Sequence, residues 1–393
     1  MVAHPMTASK PCPACTSPET SLFLARHGVP VHQNSLFADA ASARAIPRGD
    51  LAMTICHVCG FVFNAAFDES RVSYDEAYDN NQICSHVFSD YVDGLVTYLL
   101  NDRNLRGQTI VEVGCGKGYF LEKIIAADPS ARGIGFDPTY LGPLSKHEGR
   151  LQFERTFYGP DSRHVAADAV VCRHVIEHVA DPAAMLTSVR RALDGLPDAR
   201  VYFETPCVEW ILRNHVVWDF FYEHCSLFTA GSIRRLFERC GFEVLDVKHV
   251  FDGQYLWTEA RPAQPRTVDT GASELVALAN EYAAAEQTLI ARLRRRIDEL
   301  RADGEVAIWG AGAKGVTFAH LIDEDCSRIA CVVDLNPRKQ GHFVPGTGHP
   351  IVDYRELPAR GVRSALVMNP NYIQENEELL RAAGLDVRLC DES

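Results

Sequence analysis

The sequence predicts an α/β protein in which a cysteine-rich N-terminal unit precedes two successive Rossmann-like units built on parallel sheets. Three observations predict it: β-branched runs alternate with helical patterns in two separate stretches, a glycine loop follows the first strand of each stretch, and C-x-x-C pairs occur within the first sixty residues. The 393 residues suffice for three units, and a 47% hydrophobic content supplies their cores. A formal net charge of −13 provides no basic face for a phosphate backbone, so nucleic acid is not an expected partner. The first residues hold no apolar leader, and no run of about 18 apolar residues occurs to span a bilayer. A cytoplasmic protein without a membrane partner is expected.

The thirteen cysteines fall into two groups. Nine stand singly, often inside apolar segments such as AVVCRHV and RIACVVD, where a reduced thiol serves as a small hydrophobe. The other four, Cys12 and Cys15 in CPAC and Cys56 and Cys59 in CHVCG, form two pairs. Four thiolates on two short turns are the donor set of a closed structural zinc site, with no open position for catalysis. The first unit is read as a zinc-binding domain over residues 1–95.

From about 108 to 262, TIVEVG, ARGIGFD, ADAVVC, RVYFETP and FEVLDVKHV read as strands of a doubly wound parallel sheet. Helices are expected from Tyr119, through HVIEHV and from Ala230, giving a domain over 96–265. In VEVGCGKGYF the glycines Gly114, Gly116 and Gly118 separate a strand from its helix. Without Cβ atoms they allow positive φ and bring a ligand close to the free N–H groups of the helix start. Glu112 precedes the turn, and Asp137 ends the next strand, spaced to bind ribose hydroxyls. A glycine loop followed by an acid also describes dinucleotide sites, so this pattern alone leaves NAD open. His174, Glu177 and His178 match an H-x-x-E-H protease signature as well, but their place directly after a buried strand disfavours it. The aromatic stretch WDFFYEHCSLFT surrounds an acid and a histidine with Trp, Phe and Tyr, the composition of a pocket wall that desolvates an ionisable pair.

Residues 272–302 contain neither Gly nor Pro and read as one long helix, a spacer within 266–303. From 304 to 393 the plan repeats: EVAIW, a loop with Gly310, Gly312 and Gly315, IACVVD ending in Asp334, SALVMNP and DVRLC. This unit is expected to pack on the one before it and lend residues to a substrate pocket. Its alternative reading, a dinucleotide site, would make the chain an NAD-dependent oxidoreductase.

Taken in order, CPAC, CHVCG, YDEAYDN, VEVGCGKG, EHV, FYEH, GAGAKG and MNPNY resemble the nucleotide-sugar C-methyltransferases of deoxysugar biosynthesis over nearly the whole chain. The resemblance implies a class I S-adenosylmethionine-dependent methyltransferase domain between a zinc-binding domain and a C-terminal Rossmann-like domain. It implies that Glu112, Gly114, Cys115, Gly116, Gly118, Asp137, Arg173 and His174 surround S-adenosylmethionine. It further implies His224 as a base with Glu223 beside it, and Tyr222, His178 and Tyr78 or Tyr74 around a nucleotide-linked 4-keto-6-deoxy sugar methylated at C3. A saturated carbon becomes a nucleophile only when a proton beside a carbonyl is removed and the charge settles on oxygen, which is why such a base is needed. The family commonly reads Tyr-His-Glu-His where Phe221-Tyr222-Glu223-His224 stands here, so the tyrosine is expected to point elsewhere. An O- or N-methyltransferase of another small molecule on the same scaffold is the alternative.

Overall fold

The computed structural model describes residues 10–73, 84–267 and 271–391. Strands β1 (Thr20–Pro30), β2 (Arg48–Cys56) and β3 (Val62–Asn64) form an antiparallel meander. Strands β4 (Thr109–Val113), β5 (Arg132–Phe136), β6 (Ser145–Lys146), β7 (Leu151–Glu154), β8 (Ala169–Arg173) and β9 (Arg200–Pro206) enter a second, eight-stranded sheet. The two-residue β10 (Ser226–Leu227) instead pairs with β3 and completes the first sheet. The hairpin of β11 (Phe242–Val250) and β12 (Tyr255–Pro262) then returns to the second sheet, in the order β11-β12-β9-β8-β4-β5-β7-β6.

The centre of that sheet, from β9 to β7, is parallel. Ile110, Val111, Val170 and Val171 are buried in succession, as helices on both faces require. Its edge departs from a purely parallel reading, because β12 runs antiparallel between β9 and β11. Only Phe251–Gln254 connect β11 to β12, and a parallel crossover needs about a dozen residues or more. Strands β13 (Glu305–Trp309), β14 (Cys331–Val333), β15 (Ile351–Val352), β16 (Val362–Val367) and β17 (Arg388–Asp391) form a wholly parallel sheet in the order β15-β14-β13-β16-β17. The strand order reverses between β4 and β8 and again between β13 and β16, the places where open α/β sheets hold ligands.

Two helices differ from the sequence reading. HVIEHV forms only a 3-10 turn, Ile176–His178, and the helix proper starts at Pro182. The Asp181 carboxylate accepts from Ala184 N at 2.9 Å, and proline at the first position suits a helix start, so the capping signal lies past the histidines. The helix Ser273–Leu300 does more than connect two units, since Ala279, Tyr282, Glu286, Ile290, Leu293, Ile297 and Leu300 form a buried stripe along it. Arg26 of β1 donates to Glu286 Oε1 at 3.0 Å and to the carbonyls of Val217 and Phe220 at 2.6 and 3.1 Å. This ties the first sheet, the long helix and the aromatic segment into one core that continues into the third unit through Ile308 of β13 and Phe318 of the helix Ala313–Ile322. Among the described residues no helix is long and apolar enough to cross a membrane.

Candidate active site

The four paired cysteines converge. Cys12 and Cys15 lie on the turn before β1, and Cys56 and Cys59 bracket the turn between β2 and β3. Their sulfurs approach crosswise, Cys12 to Cys59 at 3.6 Å and Cys15 to Cys56 at 3.5 Å, and all four lie within 4.8 Å of one another. Tetrahedral ligation at about 2.3 Å places sulfurs about 3.8 Å apart, so the cluster has the dimensions of a four-thiolate metal site.

At the switch point beside β4, Gly114, Gly116 and Gly118 all adopt positive φ. A Cβ at Gly114 would lie 2.4 Å from Val175, and one at Gly118 the same distance from Phe153, whereas one at Gly116 would meet open space. Asp137 Oδ2 accepts from Gly116 N at 2.8 Å, and its Oδ1 accepts from Thr139, so the acid that ends β5 also shapes the loop. Burial raises the Glu112 carboxyl to about 8, with Arg173 opposing and Asp137 assisting, and its Oε2 is buried without a hydrogen bond. The thiol of Cys115 packs into the apolar core against Gly135, leaving only its backbone for a ligand.

Arg173 and His174 turn toward a carboxylate that the sequence reading passed over. Arg173 Nε donates to Glu204 Oε2 at 2.6 Å, and its guanidinium lies 4.6 Å from the centre of the Phe120 ring. Tyr91 donates to the other Glu204 oxygen, and the His174 ring stands edge-on to Tyr255 at 4.6 Å. Burial works against ionisation of Glu204, but Arg173, His174 and Tyr91 hold it below its ordinary value. The one signal available for Glu204 was its place at the C-terminal end of a central strand.

In the aromatic segment the structure separates residues that the sequence groups together. His224 meets His178 edge-on, with ring centres 4.8 Å apart, and packs on Phe221 at 4.0 Å. Burial, then His178, His174 and Lys314, push the His224 imidazole well below its ordinary value. Tyr222 does not join them. Its ring fills the space left by the missing Cβ of Gly49, and its hydroxyl accepts from Asp68 N at 2.9 Å, inside the N-terminal unit. The Tyr222 side chain thus faces the N-terminal unit and not the His178–His224 pair. Glu223 also turns away, its Oε2 accepting from Gln33 N at 2.9 Å and its Oε1 lying 3.6 Å from His32 Nδ1. Tyr74 and Tyr78 lie outside the described residues.

The third unit reaches this region through its own glycine loop. Lys314 Nζ lies 3.0 Å from Asp219 Oδ2 and donates to Gln254 Oε1 at 3.0 Å, and Gln254 in turn bonds Asn369. Asp334 accepts from Ala311 N at 2.9 Å, repeating the role of Asp137. Lys339, 4% exposed, donates to the Ala311 carbonyl at 2.9 Å and to Asn34 Oδ1 at 3.1 Å. Nothing in the local sequence distinguishes Gln254 or Lys339, because their partners are supplied by distant segments.

Comparison with known proteins gives two family matches. Residues 85–247 match a methyltransferase domain, and residues 270–384 match a C-methyltransferase C-terminal domain. The chain is 29% identical over 289 residues to the C-methyltransferase NovU of Streptomyces niveus, covering 68% of each protein. A ubiquinone biosynthesis O-methyltransferase of Methylococcus capsulatus is 32% identical over 108 residues, 26% of this chain and 45% of that one. Among solved structures, the N,N-8-amino-8-demethyl-D-riboflavin dimethyltransferase RosA of Streptomyces davawensis aligns with a TM-score of 0.36 at 20% identity, over 44% of this chain and 54% of that chain.

Proposed function

We propose that the chain is an S-adenosylmethionine-dependent C-methyltransferase that methylates the carbon beside a ketone on a nucleotide-linked sugar, with His224 as the base. The observation that carries this reading is the half-buried His224 ring set edge-on to His178 at 4.8 Å, its imidazole pushed below its ordinary value, since a base for a carbon acid must enter the reaction unprotonated. The similarity to NovU runs over 289 residues, more than the methyltransferase match spans, whereas the O-methyltransferase similarity stays near one unit in length.

Glu112, the Gly114–Gly118 turn, Asp137 and the backbone of Cys115 are the residues to hold S-adenosylmethionine, with Arg173 and His174 completing the wall. Their fit rests on the unpartnered Glu112 Oε2 and on the open space above Gly116. When bound, this group supplies an electrophilic methyl. His224 removes the proton beside the carbonyl, the C–H electron pair passes to oxygen, and the desolvated pocket keeps water from the carbanion equivalent. Lys339 supports an anionic substrate: its buried ammonium is hydrogen-bonded to neutral oxygens and to no carboxylate among the described residues. A desolvated cation of that kind favours a diphosphate.

In the same reading the four thiolates hold a structural Zn2+ that clamps the CPAC turn to the β2–β3 turn. The chain then divides into a zinc-binding domain at 1–95, a methyltransferase domain at 96–265, a connecting helix at 266–303 and a Rossmann-like domain at 304–393.

The test incubates zinc-loaded protein with S-adenosylmethionine and a nucleoside-diphosphate 4-keto-6-deoxyhexose in deuterated water, followed by mass spectrometry. Addition of one methyl to carbon, with deuterium exchange beside the carbonyl that disappears in His224→Ala, is the expected result. Methylation of hydroxyl or amine acceptors with the ketone untouched would refute it.

A further inference from the structure

A histidine that takes a proton in a desolvated pocket needs a negative charge nearby, and the sequence neighbour Glu223 does not supply it. Its carboxylate is engaged by Gln33 N and faces His32. The acid that shares the space of the two histidines comes from the turn after β8. Glu177 is fully buried, its Oε2 accepts from Thr205 Oγ1 at 3.1 Å, and its Oε1 makes no hydrogen bond. That free oxygen lies 3.4 Å from His174 Nδ1. A Glu177 oxygen and one ring nitrogen each from His178 and His224 lie within 4.8 Å of one another. Three such atoms share a centre within about 2.8 Å of each, which is a hydrogen-bond length.

We infer that Glu177, not Glu223, is the positioning residue that supports His224 as the base, an inference that rests on the reaction proposed above. The groups acting on His224 from the surrounding elements are His178 and His174 after β8 and Lys314 of the third unit, and each opposes a positive charge on the ring. Asp219 already pairs with Lys314. Glu177 is left as the carboxylate within reach. As the C–H bond breaks and the N–H bond forms on His224, the new imidazolium is balanced by the Glu177 carboxylate. Thr205 holds that carboxylate through its hydroxyl.

The test titrates the histidine rings of the full-length, zinc-loaded protein by 1H–15N NMR, assigning His224 by its loss in His224→Ala. The expected result is a His224 midpoint lower by about one pH unit in Glu177→Gln, the effect of removing an opposite charge at this range. Thr205→Val, which leaves the carboxylate in place but unfixed, should shift it in the same direction by less, and it serves alone if the glutamine variant fails to fold. A purely structural role would lower activity without moving the midpoint. An unchanged midpoint, or a ring that stays neutral in wild type and variant alike down to the acid limit of folding, would overturn the inference. Neither needs a substrate, so failure here is distinct from failure to methylate a ketone.

Discussion

Replacing Arg26 by Met removes the centre of the network that joins β1, the long helix and the aromatic segment. The guanidinium and the Glu286 carboxylate have side-chain exposures of 7% and 6%, so Met leaves a carboxylate without a partner in an apolar core. Breaking a buried pair from one side costs about 3–5 kcal/mol. The orphaned carbonyls of Val217 and Phe220 place the loss at the upper end of that range. Set against a total stability of about 5–15 kcal/mol, this is a large fraction. Urea unfolding followed by tryptophan fluorescence measures it, because Trp218 lies in the same core with its indole N–H on the Met368 carbonyl. Arg26→Met/Glu286→Leu should recover at least half of the loss, since an apolar pair replaces the charges at similar volume. The Val217 and Phe220 carbonyls belong to the segment that carries His224, so kcat should fall with stability in the single variant and return in the double. A single variant within about 1 kcal/mol of wild type, or a double variant no better than the single, would refute the reasoning.

Tyr222→Phe should lose about 1–2 kcal/mol, the value of its buried hydroxyl bond to Asp68 N, while kcat stays within about twofold, read from urea unfolding and steady-state kinetics together. Elemental analysis should find zinc in the wild-type chain and its loss in Cys59→Ser, with a lower melting temperature in the variant, because the ligands come from turns on both sides of β1 and β2. Burial raises Glu112 from its ordinary 4.5 to about 8, so the folded chain binds an extra proton between those values and stability falls as pH rises through that window. Melting temperatures from pH 5 to 9 should show that slope in wild type and lose it in Glu112→Gln.

The parts of this molecule legible in the sequence are those whose signal is local. The glycine turn at 114–118 announces itself because only glycine fits against Val175 and Phe153, and the β13 loop repeats the device. The C-x-x-C turns are equally local, and their convergence follows from the meander between them. Side-chain direction is not local. Tyr222 and Glu223 stand beside His224 in the chain yet face the N-terminal unit, because β10 draws the segment across to β3. The helix read through HVIEHV failed for a related reason: His174 takes a left-handed φ of 52°, and the turn ends before the Asp181 cap. Glu177 was visible only as the acid of a protease signature, since its closeness to His224 depends on a segment nearly fifty residues later. The packing of Ser273–Leu300 is not legible locally either, since Glu286 finds its partner Arg26 in the first strand of the protein.

Strand β10 also sets a timetable. The first sheet is completed by Ser226 and Leu227, paired with Phe63 and Val62, so its last strand leaves the ribosome about 160 residues after β3. At synthesis rates of about 5–20 residues per second, the edge of β3 waits roughly 10–30 seconds for its partner. An open β edge is a template for pairing with another chain, and here it belongs to the unit that gathers the four cysteines. Binding of a metal during that interval would stiffen the meander before the sheet closes, and a nascent chain deprived of metal would spend the same interval with both its thiols and its strand edge exposed.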